Sequence, residues 1–422
     1  MSTKMSSRFW VSMLVFGMMG QVAWVVENMY FNVFIYKMFN ATAGDISLMV
    51  MASAVMAALT TIVMGAVSDR VGRRKAFMTW GYIIWGVSIV AFAYIKSVAL
   101  TIVMDCVMTF FGSTANDAAY NAWLTDMGDS SNRGRIEGLN SMMPLVAILI
   151  VFGGFMGFDL DARPSWVKIY YIIGTATVGI GVLGLFLIDE SPKLAPSSEP
   201  FMASLLYSFK PGVMKQNQKL YRTLGMFALF GISIQVFMPY LIIYYEKTLG
   251  LSNYVVVLAP AIVLAAIATA FFGRLYDKKG FFFCVGIALT FLCVGYGVLY
   301  VSSTILPVFL GSLCMMSGYL MGMSVFGAQI RDLIPEGRAG QFQGARIIGQ
   351  VLIPGIIGPA IGAVILQDAP TIINADGTVS FLPNASLWIY ALWIIFLLIV
   401  MLFLENCSWD RDCNYGGNDI EE

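Results

Sequence analysis

Twelve predominantly apolar stretches follow one another along the chain, parted by short polar breaks. They run over 9–36, 45–67, 77–95, 98–124, 139–158 and 167–188, then over 221–245, 252–275, 281–301, 305–329, 345–366 and 386–404. Each is near the ~20 residues that carry a helix across ~30 Å of hydrocarbon, so twelve membrane-spanning helices are expected. The first stretch is too long for the apolar region of a cleaved signal, about 7–15 residues, and reads as a first spanning helix. The longest polar break, Asp189 to Lys219, lies near the middle. It sets off a six-helix half at 1–188, a central loop at 189–219, a second half at 220–404 and a polar tail at 405–422.

Composition narrows the class. Apolar residues make up 59% of the 422 and charged ones 12%, against roughly 25% charged in soluble domains. Basic and acidic residues balance at 25 each, which suggests no nucleic-acid partner. The 41 glycines suit helices that pack backbone to backbone. Cys106, Cys284, Cys293 and Cys314 lie inside apolar runs, and Cys407 and Cys413 on the tail. With no His in the chain and no metal-ligand or disulfide spacing, all six read as reduced, and no metal or cofactor is expected.

Charge placement gives an orientation. With the N-terminus inside, only Lys37, Lys96, Arg163, Lys168 and Lys247 of the 25 basic residues fall outside. The rest collect at the N-terminus, in loops 2–3, 4–5, 8–9 and 10–11, in the central loop and on the tail. This imbalance is what the positive-inside rule requires of an even number of spans with both ends in the cytoplasm. A multi-pass protein of the cell's inner (plasma) membrane is expected.

Two internal matches turn the spans into a repeat. Gly65, Asp69 and Gly72 after span two answer Gly273, Asp277 and Gly280 after span eight, at one offset of 208. Asp126, Arg133 and Gly138 after span four answer Asp332, Arg338 and Gly344 after span ten, at offsets of 206, 205 and 206. Registered positions at nearly one spacing indicate a duplicated six-helix unit, the parallel-repeat plan of some secondary transporters.

The segment GAVSDRVGRRK at 65–75 resembles the loop 2–3 motif of the major facilitator superfamily, and the resemblance extends over essentially the whole chain. It implies an all-α membrane protein of two pseudo-symmetric six-helix halves, a monomer, working by alternating access. It further implies that Asp69, Arg70 and Arg73, with Asp277 and Lys278 in the second copy, act as gate residues rather than binding substrate. More finely, NDAAYNAWLTDMGDSSNRGRIEG at 116–138 resembles the glycoside–pentoside–hexuronide:cation symporters and their sucrose-carrier-like relatives. Asp117, Tyr120 and Trp123, then Thr125, Asp126 and Arg133, fit that outline. Sodium-using melibiose carriers of that group have carboxylates within span two, whereas this span has none in its interior.

Ionisable groups inside a bilayer are costly and mark pathways or relays. Glu27 lies 19 residues from Arg8 and 10 from Lys37, or about 28 and 15 Å from the two ends of span one. Asp105 lies at about the same depth, ~14 Å, in span four. Two carboxylates at matched depth on different helices can share a proton or clasp a cation. Asp105, Thr109, Gly112, Asn116, Tyr120 and Trp123 form one helical stripe. In span seven Gln235, Pro239 and Glu246 form another; Glu246, near the outer end, reads as interfacial. Arg346 and Gln350 sit one turn apart at the start of span eleven. Hydroxyl-rich solutes need carboxylate and amide acceptors and an aromatic face. Glu27, Asn28, Asn116, Asp117, Tyr120, Asn121 and Trp123, with Gln235, Arg346 and Gln350, are the expected substrate-binding set. Glu27, Asp105 and Asp117 are the expected coupling carboxylates for a proton or Na+.

The function expected is cation-coupled, most simply proton-coupled, import of a sugar or glycoside. The alternative is proton-coupled efflux of small amphipathic molecules, for which the Gly and Pro pattern of span eleven (Gly349, Gly355, Gly358, Pro359, Gly362) offers some resemblance to the superfamily's antiporter motif. That motif belongs in span five, and a Pro among glycines is more simply a kink. A membrane-embedded enzyme is a remote alternative, because the longest polar segment is short and lacks an acidic metal-binding cluster.

Overall fold

In lipid every backbone amide must be satisfied within its own segment, which leaves helices as the solution for this chain. The computed structural model describes residues 6–127, 133–190, 207–335, 339–374 and 377–415. Among them are twelve long helices: α1 Ser7–Phe39, α2 Ala43–Val71, α3 Lys75–Tyr94, α4 Val98–Met127, α5 Arg133–Phe155 and α6 Arg163–Leu187, then α7 Gln218–Thr248, α8 and α9 within Val255–Val301, α10 Ile305–Leu333, α11 at 339–365 and α12 Ser386–Tyr415. Eleven spans among the described residues are long and apolar enough to cross a membrane, and Met142–Phe155 of α5 is a shorter apolar one. With twelve antiparallel spans both chain ends lie on one face, called here the chain-end face; the other is the far face.

Local chemistry sets the boundaries. Ser6 and Ser97 cap α1 and α4 with their side chains, and Thr42 and Asp45 form a capping box on α2, each replacing backbone acceptors missing at a helix start. Gly72, at φ 65°, ends α2, and Gly280, at φ 76°, breaks the long apolar run into α8 and α9. A side chain in that left-handed region would be strained, so the repeated loop glycines have a backbone reason. The last helix continues to Tyr415, well into the segment read as a polar tail. Much of the central loop, 191–206, lies outside the described residues, as do Arg338 and the side chain of Arg133 named in the repeat.

The outer surface of the bundle is apolar: Phe186, Phe271, Val301, Trp393 and Phe403 are each more than half exposed, as lipid-facing side chains would be. Inside, glycines set helix spacing. A Cβ on Gly86 of α3 would stand 2.5 Å from the Gly174 carbonyl of α6, and one on Gly295 of α9 would stand 2.5 Å from the Met315 amide of α10. Backbones approach this closely only without side chains.

The two halves meet along α2 and α11, where Gly355 packs against Ala54, and at the far face. There Lys37 of α1 pairs with Glu246 of α7 at 2.6 Å, with only 5% and 13% of their side chains exposed. Tyr240 donates to the Ala43 carbonyl at 2.9 Å, and Tyr254 to the Tyr30 hydroxyl at 3.0 Å. Glu246, read as interfacial from its position, is thus half of a buried ion pair between the halves. Between α11 and α12 a two-stranded antiparallel hairpin, β1 Thr371–Ile373 and β2 Val379–Phe381, lies at the same face.

The glycine contacts give a direct test of packing. Gly86→Ala is expected to destabilise the protein by about 1–3 kcal/mol through overpacking, read as a lower unfolding temperature in detergent. Gly153→Ala, with nothing within 4 Å of its Cβ, is expected to leave that temperature unchanged.

Candidate functional site

Among the described residues four of the long helices contain a stretch of π-helix, at Val26–Phe31, Ser113–Tyr120, Tyr244–Thr248 and Ile348–Leu352. A π-turn widens the helix by a residue and redirects side chains, and such turns occur often at functional sites. Glu27, Asn28, Asn116, Asp117, Tyr120, Glu246 and Gln350 all sit in these four stretches.

Glu27 is buried, 5% exposed, and its Oε1 accepts from Ser53 Oγ of α2 and Thr109 Oγ1 of α4, both at 2.9 Å. The two hydroxyls are themselves 2.9 Å apart. Thr109 also lies 2.8 Å from the Asp105 carbonyl one turn earlier, so its single proton serves either the backbone or Glu27. Asp105 is 2% exposed, and it and Asp117 both stand within coulombic reach of Glu27. Among the described residues Glu27 Oε2 and Asp105 Oδ1 are buried without a hydrogen-bond partner. The structure therefore brings together the two carboxylates that matched depth paired in the sequence. It adds Ser53, an uncharged residue that its apolar run gave no reason to single out.

The other expected binding residues divide. Asn28 and Asn121 are exposed, each donating its amide to its own helix, to Trp24 O at 2.8 Å and Asp117 O at 3.2 Å. Asp117 is half-buried and takes a long bond, 3.4 Å, from Asn116. Gln235 is half-buried on α7, where Gly358 of α11 packs against its Cβ. Arg346 and Gln350 bond to one another at 3.2 Å.

Three expected binders are instead committed to packing within the first half. Tyr120, 2% exposed, donates to the Met13 carbonyl of α1 at 2.9 Å, an approach for which Gly17 leaves room. Trp123, 1% exposed, donates its indole N–H to the Asp189 carbonyl at 2.9 Å and packs on Phe9. Asn116 has its Oδ1 3.2 Å from the Tyr82 hydroxyl of α3, whose one proton goes to the nearer Phe16 carbonyl at 2.6 Å, and it rests against Gly20. The helical stripe on α4 is real, but near the chain-end face it points at α1 rather than into a cavity.

The expected gate is also redrawn. Asp69 pairs with Arg74, which binds Asp126 at 2.9 Å and Ser68 at 2.5 Å. Glu190, beyond α6, accepts the backbone amides of Arg74 and Lys75 at 2.9–3.1 Å. Arg74 is 4% exposed, whereas Arg70 and Arg73 point to solvent, as do Asp277 and Lys278. In the second half Tyr276, at the position answering Ser68, bonds to Asp332 at 2.8 Å. Asp332 answers Asp126, so the repeat engages the same carboxylate with a different partner. Arg74 was hidden among three adjacent basic residues; only the direction in which α3 begins selects it.

The model of the major facilitator superfamily matches residues 9–359, and the chain belongs to that superfamily. No curated protein sequence matches it. Solved transporters share its fold. A nucleoside transporter, NupG, superposes with a TM-score of 0.73 at 12% identity, over 93% of this chain and 99% of its own. The xylose transporter XylE from E. coli gives 0.68 at 13%, over 94% and 99%. A bacterial homologue of the human lysosomal transporter Spinster, inward-facing and unoccupied, gives 0.66 at 15%, over 95% and 96%. The protein is thus a transporter of small molecules rather than an enzyme.

Removing the Arg74 guanidinium leaves Asp69 and Asp126 facing each other. With Asp69 about half exposed, Arg74→Met is expected to cost about 1–3 kcal/mol, measured by unfolding in detergent. Arg73→Met is expected to change stability by less than about 0.5 kcal/mol.

Proposed function

We propose that the protein is a proton-coupled importer of a hydroxyl-rich solute, a sugar, glycoside or nucleoside, with Glu27 as the coupling group. The observation that carries this reading is the buried Glu27 carboxylate, held by hydroxyls from α2 and α4 beside Asp105. An uncompensated charge in such a place is costly, and a proton removes it. The chain has no His, so a proton relay within the membrane must run through carboxylates.

Alternating access then follows from geometry. Glu27, Ser53 and Thr109 belong to three helices of one half, so small relative movements of α1, α2 and α4 change how well the ionised carboxylate is solvated. Binding and release of the proton are thereby tied to which face the site communicates with. Solute would meet Asn28, Asp117 and Asn121 on the first half and Gln235 and Gln350 on the second. Asn28 is exposed well inside its helix, a position unfavourable against lipid but suited to an aqueous passage.

The resemblance of 116–138 to glycoside–pentoside–hexuronide symporters supports a glycoside-like substrate, as do the xylose and nucleoside transporters among the structural neighbours. We place the chain-end face in the cytoplasm of a plasma membrane on the basic-residue asymmetry. The glycines of α11 that resembled an efflux motif have a packing role: Gly358 and Gly362 bring α11 against Gln235 and Val236 of α7.

The test is uptake of labelled sugars, glycosides and nucleosides into proteoliposomes under a proton gradient, a sodium gradient or neither. Proton-driven accumulation of at least one solute is expected. Glu27→Gln is expected to abolish that accumulation while sparing exchange of the same solute. Undiminished proton-driven accumulation by that variant would contradict the reading, as would accumulation driven by sodium alone.

A further inference from the structure

The far face carries a connection between the halves that neither the gate motifs nor the coupling site uses. Asn40 ends α1 in the left-handed conformation, φ 49°, the one non-glycine residue with positive φ among those described. Its side-chain oxygen faces three donors of the α11–α12 hairpin: Asn374 Nδ2 at 3.3 Å, Thr378 Oγ1 at 3.2 Å and Ser380 Oγ at 3.2 Å. A carbonyl oxygen has two lone pairs, so the three share it, and each bond is long.

The hairpin is built to present them. Asn374 Nδ2 also lies 3.0 Å from Thr378 Oγ1 and 2.8 Å from Ser380 Oγ, so its two protons are shared among three acceptors and the polar groups form one unit. Next to it, Tyr36 donates to the Phe381 carbonyl at 2.7 Å and packs edge-on against the Phe381 ring. In every contact of Asn40 and Tyr36 with the hairpin one partner belongs to the first half and the other to the second. Alternating access moves the halves relative to one another, so opening the far face must break this cluster.

The geometry points to the strands β1 and β2 with Asn374 and Thr378 as a latch, and Asn40 as its catch, that holds the far face closed and sets how often it opens. Neutral hydrogen bonds suit this role because each adds little. A group of them favours closure while leaving opening reachable. The position at the α1–α2 turn matters too, because α1 carries Glu27 and its far end moves with the catch.

The experiment measures opening itself, independently of substrate or coupling ion. In a protein whose native cysteines are replaced, nitroxides at Lys96→Cys and Ser303→Cys, both exposed on the far face, report the distance between halves in lipid. Asn40→Gly keeps the left-handed turn and removes the catch; it is expected to raise the ratio of the longer to the shorter distance roughly tenfold. The pair Thr378→Ala with Ser380→Ala, which leaves α1 untouched, is expected to shift the ratio the same way. Asn40→Cys with Ser380→Cys, oxidised, is expected to leave only the shorter distance, and reduction to restore the longer one. An unchanged distribution in both Asn40→Gly and the alanine pair would overturn the proposal, as would a longer distance that persists in the oxidised pair.

Discussion

A carboxylate placed in the interior of a membrane protein must be neutralised or surrounded by donors, and the organisation of the first half follows from how Glu27 meets that demand. Its one well-satisfied oxygen takes hydroxyls from α2 and α4, which ties three helices at one depth. Glu27 lies in the π-turn at 26–31 and Asp117 in the π-turn at 113–120. Around this polar knot the packing is apolar and close. Tyr82, Tyr120 and Trp123 each spend their single donor on a backbone carbonyl, of Phe16, Met13 and Asp189. The knot is held from behind by groups that have no donor left for solute.

The two faces of the bundle are built differently. At the chain-end face Arg74 gathers Asp69, Asp126 and Ser68 within the first half, so this charge cluster sets the junction of α2, α3 and α4. At the far face the contacts cross between halves: the buried Lys37–Glu246 pair, the Tyr240 and Tyr254 hydroxyls, and the hairpin around Asn40. A structure joined in this way has its far face closed, and the proposed proton site lies on the helix that carries Glu27 and ends at Asn40.

Much of the fold was legible in the sequence because hydrophobic length is a strong signal and loop motifs repeat at a fixed offset. Many span boundaries have counterparts in helix ends, and the loop glycines after spans two and eight have theirs in Gly72 and Gly280. The depth pairing of Glu27 with Asp105 was legible too, since rise per residue is constant. The direction of a side chain was not. Tyr120 and Trp123 share a stripe with Thr109, yet Thr109 meets the Glu27 carboxylate while they give their protons to backbone carbonyls. Arg73 and Arg74 are adjacent, and a helix start decides that only the second is buried. Ser53 carries no charge, and Asn40 lies at a turn where polar residues are ordinary. Their roles depend on partners more than twenty and three hundred residues away, which no local pattern records.

The central claim is that Glu27 takes up and releases a proton inside the membrane. Infrared difference spectroscopy of the protein in lipid, with the pH stepped across the physiological range, reads that event without knowledge of the solute. A carboxylic-acid band from a buried group is expected to rise and fall with pH in the unmodified protein, and to be lost or strongly reduced in Glu27→Gln. A band that persists unchanged in that variant, or no buried acid titrating at all, would contradict it.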